Sequence, residues 1–372
     1  MSDQSNSRRS FIQKMLALTS GSIIAGKTMA GQQSTNMEKE TKNGGIKNTF
    51  PLGFQWQTSD PFLFCVHHED HFPEGNDELG PDASLEGRNL GQDFLLKDGW
   101  RMYHGKKVPG FPGHPHRGFE TVTVVRKGLV DHSDSLGASG RYGNGDVQWM
   151  TAGGGIQHAE MFPLLNQDKG NPLELFQIWL NLPKSNKMVD PHFKMLWSED
   201  IPIVVNNGVR LEVLAGKLGE NQAPSSPPHS WANDPENHVG IYNIRMDPHA
   251  TFELPATQPG INRTLYVYEG KQLTINGHAV PHYHGVEVQP DVNLTLHGET
   301  ATNVLVLQGK PINEPVVSHG PFVMNTRQEI QQAFMDYQST RFGGWPWKEM
   351  GPTHGQSGRF AKHADGRMEK RT

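Results

Sequence analysis

Four residues stand out for what their types and spacing could do together. His114 and His116 form a His-x-His pair in the run Gly110-Phe111-Pro112-Gly113-His114-Pro115-His116-Arg117-Gly118-Phe119-Glu120. About 40 residues later, His158 and Glu160 form a His-x-Glu pair in Gly153-Gly154-Gly155-Ile156-Gln157-His158-Ala159-Glu160-Met161. In an extended strand, residues i and i+2 point to the same face. Each pair therefore presents both of its side chains together. Two such pairs facing each other across a small barrel gather three imidazoles and one carboxylate around a point. That donor set suits one divalent transition metal, Fe(II), Ni(II), Mn(II), Cu(II) or Zn(II), and leaves coordination positions open. Open positions allow joint activation of O2 and an enolate-like substrate, Lewis-acid polarisation of a carbonyl, or simple retention of metal as a sensor or staple.

The remaining histidines read differently. His132 sits between Asp131 and Asp134 and reads as a hydrogen-bonded histidine, and His192, His229, His238 and His249 fall in polar loops. His67, His68 and His71 open a polar segment that reads as a solvated loop. His282-Tyr283-His284 repeats the His-x-His spacing, but no His-x-Glu follows it, so it carries no metal in this reading. The single cysteine, Cys65, rules out an intrachain disulfide. Its apolar neighbours, Phe62 to Phe64 and Val66, place it in a buried strand.

The elements that must position the two pairs are short strands. Thr121 to Val125 is β-branched and strand-like, and Lys127-Gly128 breaks it. A loop through Asp131, His132, Asp134 and Gly137 leads to a second strand, Val147 to Met150. Ala152 to Gly155 is a permissive turn that delivers the His-x-Glu pair. Residues 240 to 310 repeat the pattern of strands and turn signals, including Glu269-Gly270 and Asn276-Gly277. A helix is expected over Gln328 to Tyr337, with Ile330, Ala333, Phe334 and Tyr337 on one face. Asn325 or Thr326 would cap it, and Gly343-Gly344 would end it.

Length and composition agree with this picture. The 372 residues suit two domains of ordinary size or one large one, and 41 glycines with 26 prolines favour strands and turns over a helical bundle. A net charge of −5 argues against a chain-wide phosphate-binding role, though not against a local basic patch, and no nucleic-acid partner is expected. The amino terminus differs from the rest. Ser7-Arg8-Arg9-Ser10-Phe11-Ile12-Gln13-Lys14, the apolar stretch Met15 to Gly26, and Thr28-Met29-Ala30 together look like a twin-arginine export signal over residues 1–30. The apolar stretch is too short for stable membrane insertion, and exported or periplasmic location is the expectation. Residues 31–48 read as a polar linker. The tail, 348–372, is polar and basic and is expected to be disordered.

The long runs point to a family. Gly-Phe-Pro-x-His-Pro-His-Arg-Gly-Phe-Glu-Thr-Val-Thr at 110–123 and Gly-Asp-Val-Gln-Trp-Met-Thr-Ala-Gly-Gly-Gly-Ile-Gln-His-Ala-Glu-Met at 145–161 closely resemble pirins. Gly320-Pro321-Phe322-Val323-Met324-Asn325-Thr326 and Arg341-Phe342-Gly343-Gly344-Trp345-Pro346-Trp347 resemble them too. The resemblance covers patches from about residue 57 to 347. It implies an all-β protein of two tandem cupin (jelly-roll) barrels with a carboxyl-terminal helix. The amino-terminal metal-binding cupin would occupy 49–185, and a carboxyl-terminal cupin without metal, plus the helix, 186–347.

Within the family, residues matching His114, His116, His158 and Glu160 hold the metal, with Fe(II) favoured. Glu120 is left out of the ligand set, and Arg117 is expected to pair with Glu120 behind it. The resemblance extends to quercetin 2,3-dioxygenases, which open a flavonol or similar enolic ring with O2 and release carbon monoxide. It implies a small aromatic or enolic substrate; Glu160 as a ligand would tune the metal and, if it loosens, its carboxylate would take the substrate's hydroxyl proton as general base. The alternatives are a non-catalytic, regulatory metal-binding cupin, since eukaryotic pirins resemble transcriptional co-regulators, although an export signal counts against that role, and a non-oxygenase metal enzyme such as an isomerase or hydrolase. Two departures stand out: an export signal in a family mostly cytosolic or nuclear, and a long polar segment from His67 to Gly91 that could border the pocket mouth.

Overall fold

The computed structural model describes residues 43–372. The expected export signal and most of the expected linker lie outside the described residues. The first strands are β1 (Ile46–Pro51), β2 (Gln55–Trp56), β3 (Phe62–Phe72), β4 (Gly110–His116), β5 (Phe119–Lys127) and β6 (Leu129–Asp134). They are followed by β7 (Ser139–Gly143), β8 (Val147–Thr151), β9 (Ile156–Met161), β10 (Asn171–Asn181), β11 (His192–Leu196), β12 (Ile203–Asn206) and β13 (Val209–Ala215).

The first cupin is built from two six-stranded sheets. One has the order β11-β8-β5-β10-β3-β2. The other runs from Met368–Lys370 and Phe360–Lys362 through β7, β6 and β9 to β4. The second cupin has a seven-stranded sheet that ends in β13 and β12, and a four-stranded sheet. The sheets are paired layers rather than fully closed barrels.

Period-two alternation decides what each layer faces. On β5, Val122 and Val124 join a core shared with Leu214, Ile241, Tyr266, Leu305 and Leu307 of the second cupin. Thr123 and Val125 point the other way, into the first cupin. The two cupins thus pack back to back over one apolar layer, where Trp56 stacks on Tyr266 with ring centroids 5.1 Å apart. Cys65 is buried in the same layer, as its neighbours predict.

Four expectations need correction. First, the linker ends early. β1 pairs with His284–Val288 and forms the edge of the second cupin's large sheet. Second, the tail is ordered. Phe360–Lys362 pairs with β7, and Arg141 Nη1 donates to the carbonyls of Gly355 and Ser357. Third, the first cupin continues past 185, because β11 pairs with β8. Fourth, the histidines at 67, 68 and 71 lie on β3, not in a solvated loop. His67 stacks on Phe176, and His68 is buried against Tyr103.

The expected helix forms as α1 (Arg327–Thr340). Thr326 is its amino-terminal cap, in a capping box with Glu329. It buries Ile330, Ala333 and Tyr337. Among the described residues, no helix is long and apolar enough to cross a membrane.

Candidate metal centre

β4 and β9 are antiparallel neighbours in one sheet, with His114 opposite His158. The two pairs were expected to face each other across a barrel; they lie side by side instead. A register shift between Phe111 and His114 realigns the strands, so that Glu160 falls opposite Phe111. The result brings His114, His116 and His158 together, with one ring nitrogen of each within 4.8 Å of the others. Among the described residues this is the single such group. Ring centroids are 4.5 Å apart for His114 and His158, 4.8 Å for His114 and His116, and 4.9 Å for His116 and His158. Glu160 stands at the edge of the group. Its Oε2 lies 3.8 Å from His158 Nε2.

The ring nitrogens show what the group lacks. His114 Nδ1 lies 3.0 Å from the Pro112 carbonyl, which can only accept, so this nitrogen carries the proton and Nε2 keeps its lone pair. Both ring nitrogens of His158 and Nδ1 of His116 are buried without a hydrogen-bond partner. Such orphaned polar atoms each cost about 1–3 kcal/mol and call for an explanation. A bound cation taking the single lone pair of each ring supplies that explanation for one nitrogen per imidazole.

The electrostatics agree. Burial pulls the pKa of His114 down to about 4. Burial, followed by the neighbouring imidazoles, holds His116 and His158 well below the usual range. All three are therefore neutral at neutral pH and ready to donate. Burial pushes the Glu160 carboxyl up, opposed by the Thr123 hydroxyl, His132 and the Gln177 amide. Thr123 Oγ1 lies 2.9 Å from Glu160 Oε1, and Gln177 Nε2 donates to Oε2 at 3.2 Å. These contacts fix the carboxylate beside the imidazoles. Three neutral imidazoles and one oriented carboxylate fit a divalent transition metal.

Sequence reasoning missed part of the surroundings. Thr123 and Gln177 reach the site from β5 and β10, and only their strand parity hinted at it. His132 is hydrogen-bonded as expected, with Nε2 3.1 Å from Asp134 Oδ2. It also lies opposite Glu160 on β6, with its ring 5.6 Å from that of His158. The expected Arg117–Glu120 pair does not form. Arg117 pairs with Asp336 at 2.6 Å. Glu120 accepts from Thr151 and Ser230, and burial lifts its pKa to about 7. In the second cupin, His282 is exposed, and its Nδ1 and that of His284 each sit on a backbone carbonyl.

Comparison with known proteins agrees with this architecture. The Pirin family model matches residues 79–180, and that of the Pirin C-terminal cupin domain matches residues 241–343. The chain is 38% identical over 235 residues to a Pseudomonas aeruginosa protein provisionally named quercetin 2,3-dioxygenase, covering 62% of this chain and 79% of that one. It is 35% identical to human pirin over 256 residues, covering 67% of this chain and 82% of pirin. A crystal structure of quercetin 2,3-dioxygenase from Acinetobacter baumannii superposes with a TM-score of 0.65 at 25% identity, over 81% of this chain and 98% of that one. The chain belongs to the pirin family, a family of metal-binding double cupins.

Proposed function

We propose that this protein is a metal-dependent dioxygenase of the quercetinase type, acting with O2 on a flavonol or similar enolic aromatic substrate. The observation that carries the reading is the buried trio of imidazoles with unpartnered ring nitrogens beside an oriented carboxylate. Similarity to proteins named quercetin 2,3-dioxygenase supports the choice of reaction.

His114, His116 and His158 would hold the metal, with Glu160 as fourth ligand. Fe(II) is the favoured ion, and Ni, Mn, Cu or Zn fit the same donors. A bound metal supplies Lewis acidity and a centre where O2 and an enolate meet. The chain's own residues do the rest. The imidazoles are neutral before metal arrives, so none has to lose a proton. Thr123 and Gln177 hold Glu160 beside the imidazoles; on loosening from the metal its carboxylate would take the substrate's hydroxyl proton. Burial of the site keeps bulk water from that proton.

The test is O2 uptake by anaerobically purified, metal-loaded protein with a flavonol panel. The wild type should consume O2, and Glu160→Gln should keep metal but lose turnover. Metal bound without O2 uptake on any flavonol would favour the non-catalytic, regulatory reading. Full activity in Glu160→Gln would remove the base role. We further propose that residues 1–30 export the folded chain by the twin-arginine route; the paired Arg8 and Arg9 ahead of an apolar stretch support this.

A further inference from the structure

Strand alternation gives each ligand strand a second, outward face. His116 and His158 point inward, so the residues beside them, Arg117 and Gln157, must point out. Neither is left to solvent. Both are gripped by the carboxyl-terminal segment that returns from the second cupin.

Arg117 is held on three sides. Its Nη1 donates to Asp336 Oδ2 at 2.6 Å, and its Nε donates to the Gly154 carbonyl at 2.7 Å, in the turn that precedes β9. Its guanidinium lies 4.7 Å from the centre of the Phe342 ring. Its backbone N–H donates to Pro321, and its carbonyl accepts from Val323. Both side-chain N–H groups and the amide oxygen of Gln157 are engaged. Its Oε1 accepts from the Tyr337 hydroxyl at 2.9 Å, and its Nε2 donates to the carbonyls of Arg341 and Gly344, each at 2.7 Å. The turn itself is clamped too, because a Cβ on Gly155 would lie 2.6 Å from the Phe342 ring. Asp336 and Tyr337 are consecutive residues of α1. One helix segment therefore fixes the residue after His116 and the residue before His158.

We infer that α1 sets the geometry of the metal centre from outside the sheet, with Asp336 and Tyr337 as positioning residues that act through Arg117 and Gln157. The inference rests on the metal-binding reading of His114, His116 and His158. It assigns the helix a role beyond packing. The spacing of two imidazoles carried by different strands is held by one rigid element, so ligand geometry depends on the docking of α1. Arg117 and Gln157 bond no imidazole and act through the backbone they share with His116 and His158, so the loss expected is at the low end of the about 10–100-fold that follows removal of groups bonded directly to metal ligands.

The test uses the full chain and Co(II) alone as probe. Affinity is measured by chelator competition, and site geometry by the visible Co(II) spectrum. Asp336→Ala should weaken Co(II) binding about tenfold and shift the spectrum, and Asp336→Glu should restore both. Tyr337→Phe removes one hydroxyl and is the milder variant should Asp336→Ala fold poorly; it should weaken Co(II) binding in the same direction. Leu296→Ala, in the core of the second cupin, should lower thermal stability without moving affinity or spectrum. Wild-type Co(II) affinity and spectrum in Asp336→Ala and Tyr337→Phe would overturn the inference. So would an equal loss of affinity in Leu296→Ala, which would reduce the helix to a general stabiliser. Failure of the wild type to bind Co(II) would instead overturn the metal reading itself, and this inference with it.

Discussion

Acid should destabilise the metal-free protein through the same imidazoles that form the site. Burial holds His114 at about 4, with His116 and His158 well below the usual range. In the unfolded chain each titrates near about 6.5. Below that value unfolding takes up a proton at each, so the stability they confer is full above about 6.5 and is lost as the pH falls toward the folded pKa. From about pH 6.5 to pH 5, at about 1.36 kcal/mol per pH step, one buried imidazole loses ~2 kcal/mol. That is a large share of a typical net stability of about 5–15 kcal/mol. Glu120 works in the opposite direction. Its folded pKa of about 7 lies above its unfolded value, so its contribution grows as the pH falls through that range. The total slope is therefore a difference, and a variant isolates the imidazole part. Urea unfolding of wild type and His114→Gln at pH 7 and pH 5, both with chelator, reads it. The loss of stability between the two pH values should be smaller in the variant by ~2 kcal/mol. An unchanged pH dependence would refute the claim that His114 is buried and neutral.

Other expectations follow from the same structure. Arg141 pairs with buried Asp131 through Nε at 2.6 Å and Nη2 at 2.7 Å, so Arg141→Ala should cost about 3–5 kcal/mol by urea unfolding, because a buried carboxylate loses its partner. The same variant should speed protease cleavage within residues 350–372, whose carbonyls at Gly355 and Ser357 lose their donor; cleavage at the wild-type rate would contradict that anchoring. Replacing Arg8 and Arg9 with Lys should keep the chain in the cytoplasm by fractionation and leave metal binding intact, and unchanged export would remove the twin-arginine reading.

Much of the site was readable because it depends on local parity. His114 with His116, and His158 with Glu160, share faces by strand geometry alone, and the intervening turns keep both pairs in extended segments. Register was not readable. Nothing in the sequence says that β4 lies beside β9, or that the shift after Phe111 brings the imidazoles level while leaving Glu160 at the flank. Non-local pairing was equally hidden. β1 is mostly exposed along its length, without alternation, and forms only because His284–Val288 offers an edge. Phe360–Lys362 is too short to show a period; its order comes from β7 and from Arg141. β3 misled for another reason. Its polar residues face an interior that is itself polar, where Tyr103 bridges His68 and Asp70 at 2.8 Å and 2.5 Å. Polarity read along the chain suggested solvent, and burial supplied hydrogen-bond partners instead.

The central claim is that one metal is held by His114, His116, His158 and Glu160. The most direct measurement is the metal content of anaerobically purified protein after loading with Fe(II) and removal of excess ion, made on the wild type and on a His116→Ala/His158→Ala double variant that keeps the wild-type circular dichroism. The account predicts one metal per chain in the wild type and none in the double variant. A wild type that retains no metal, or a double variant that still holds one per chain, would contradict it.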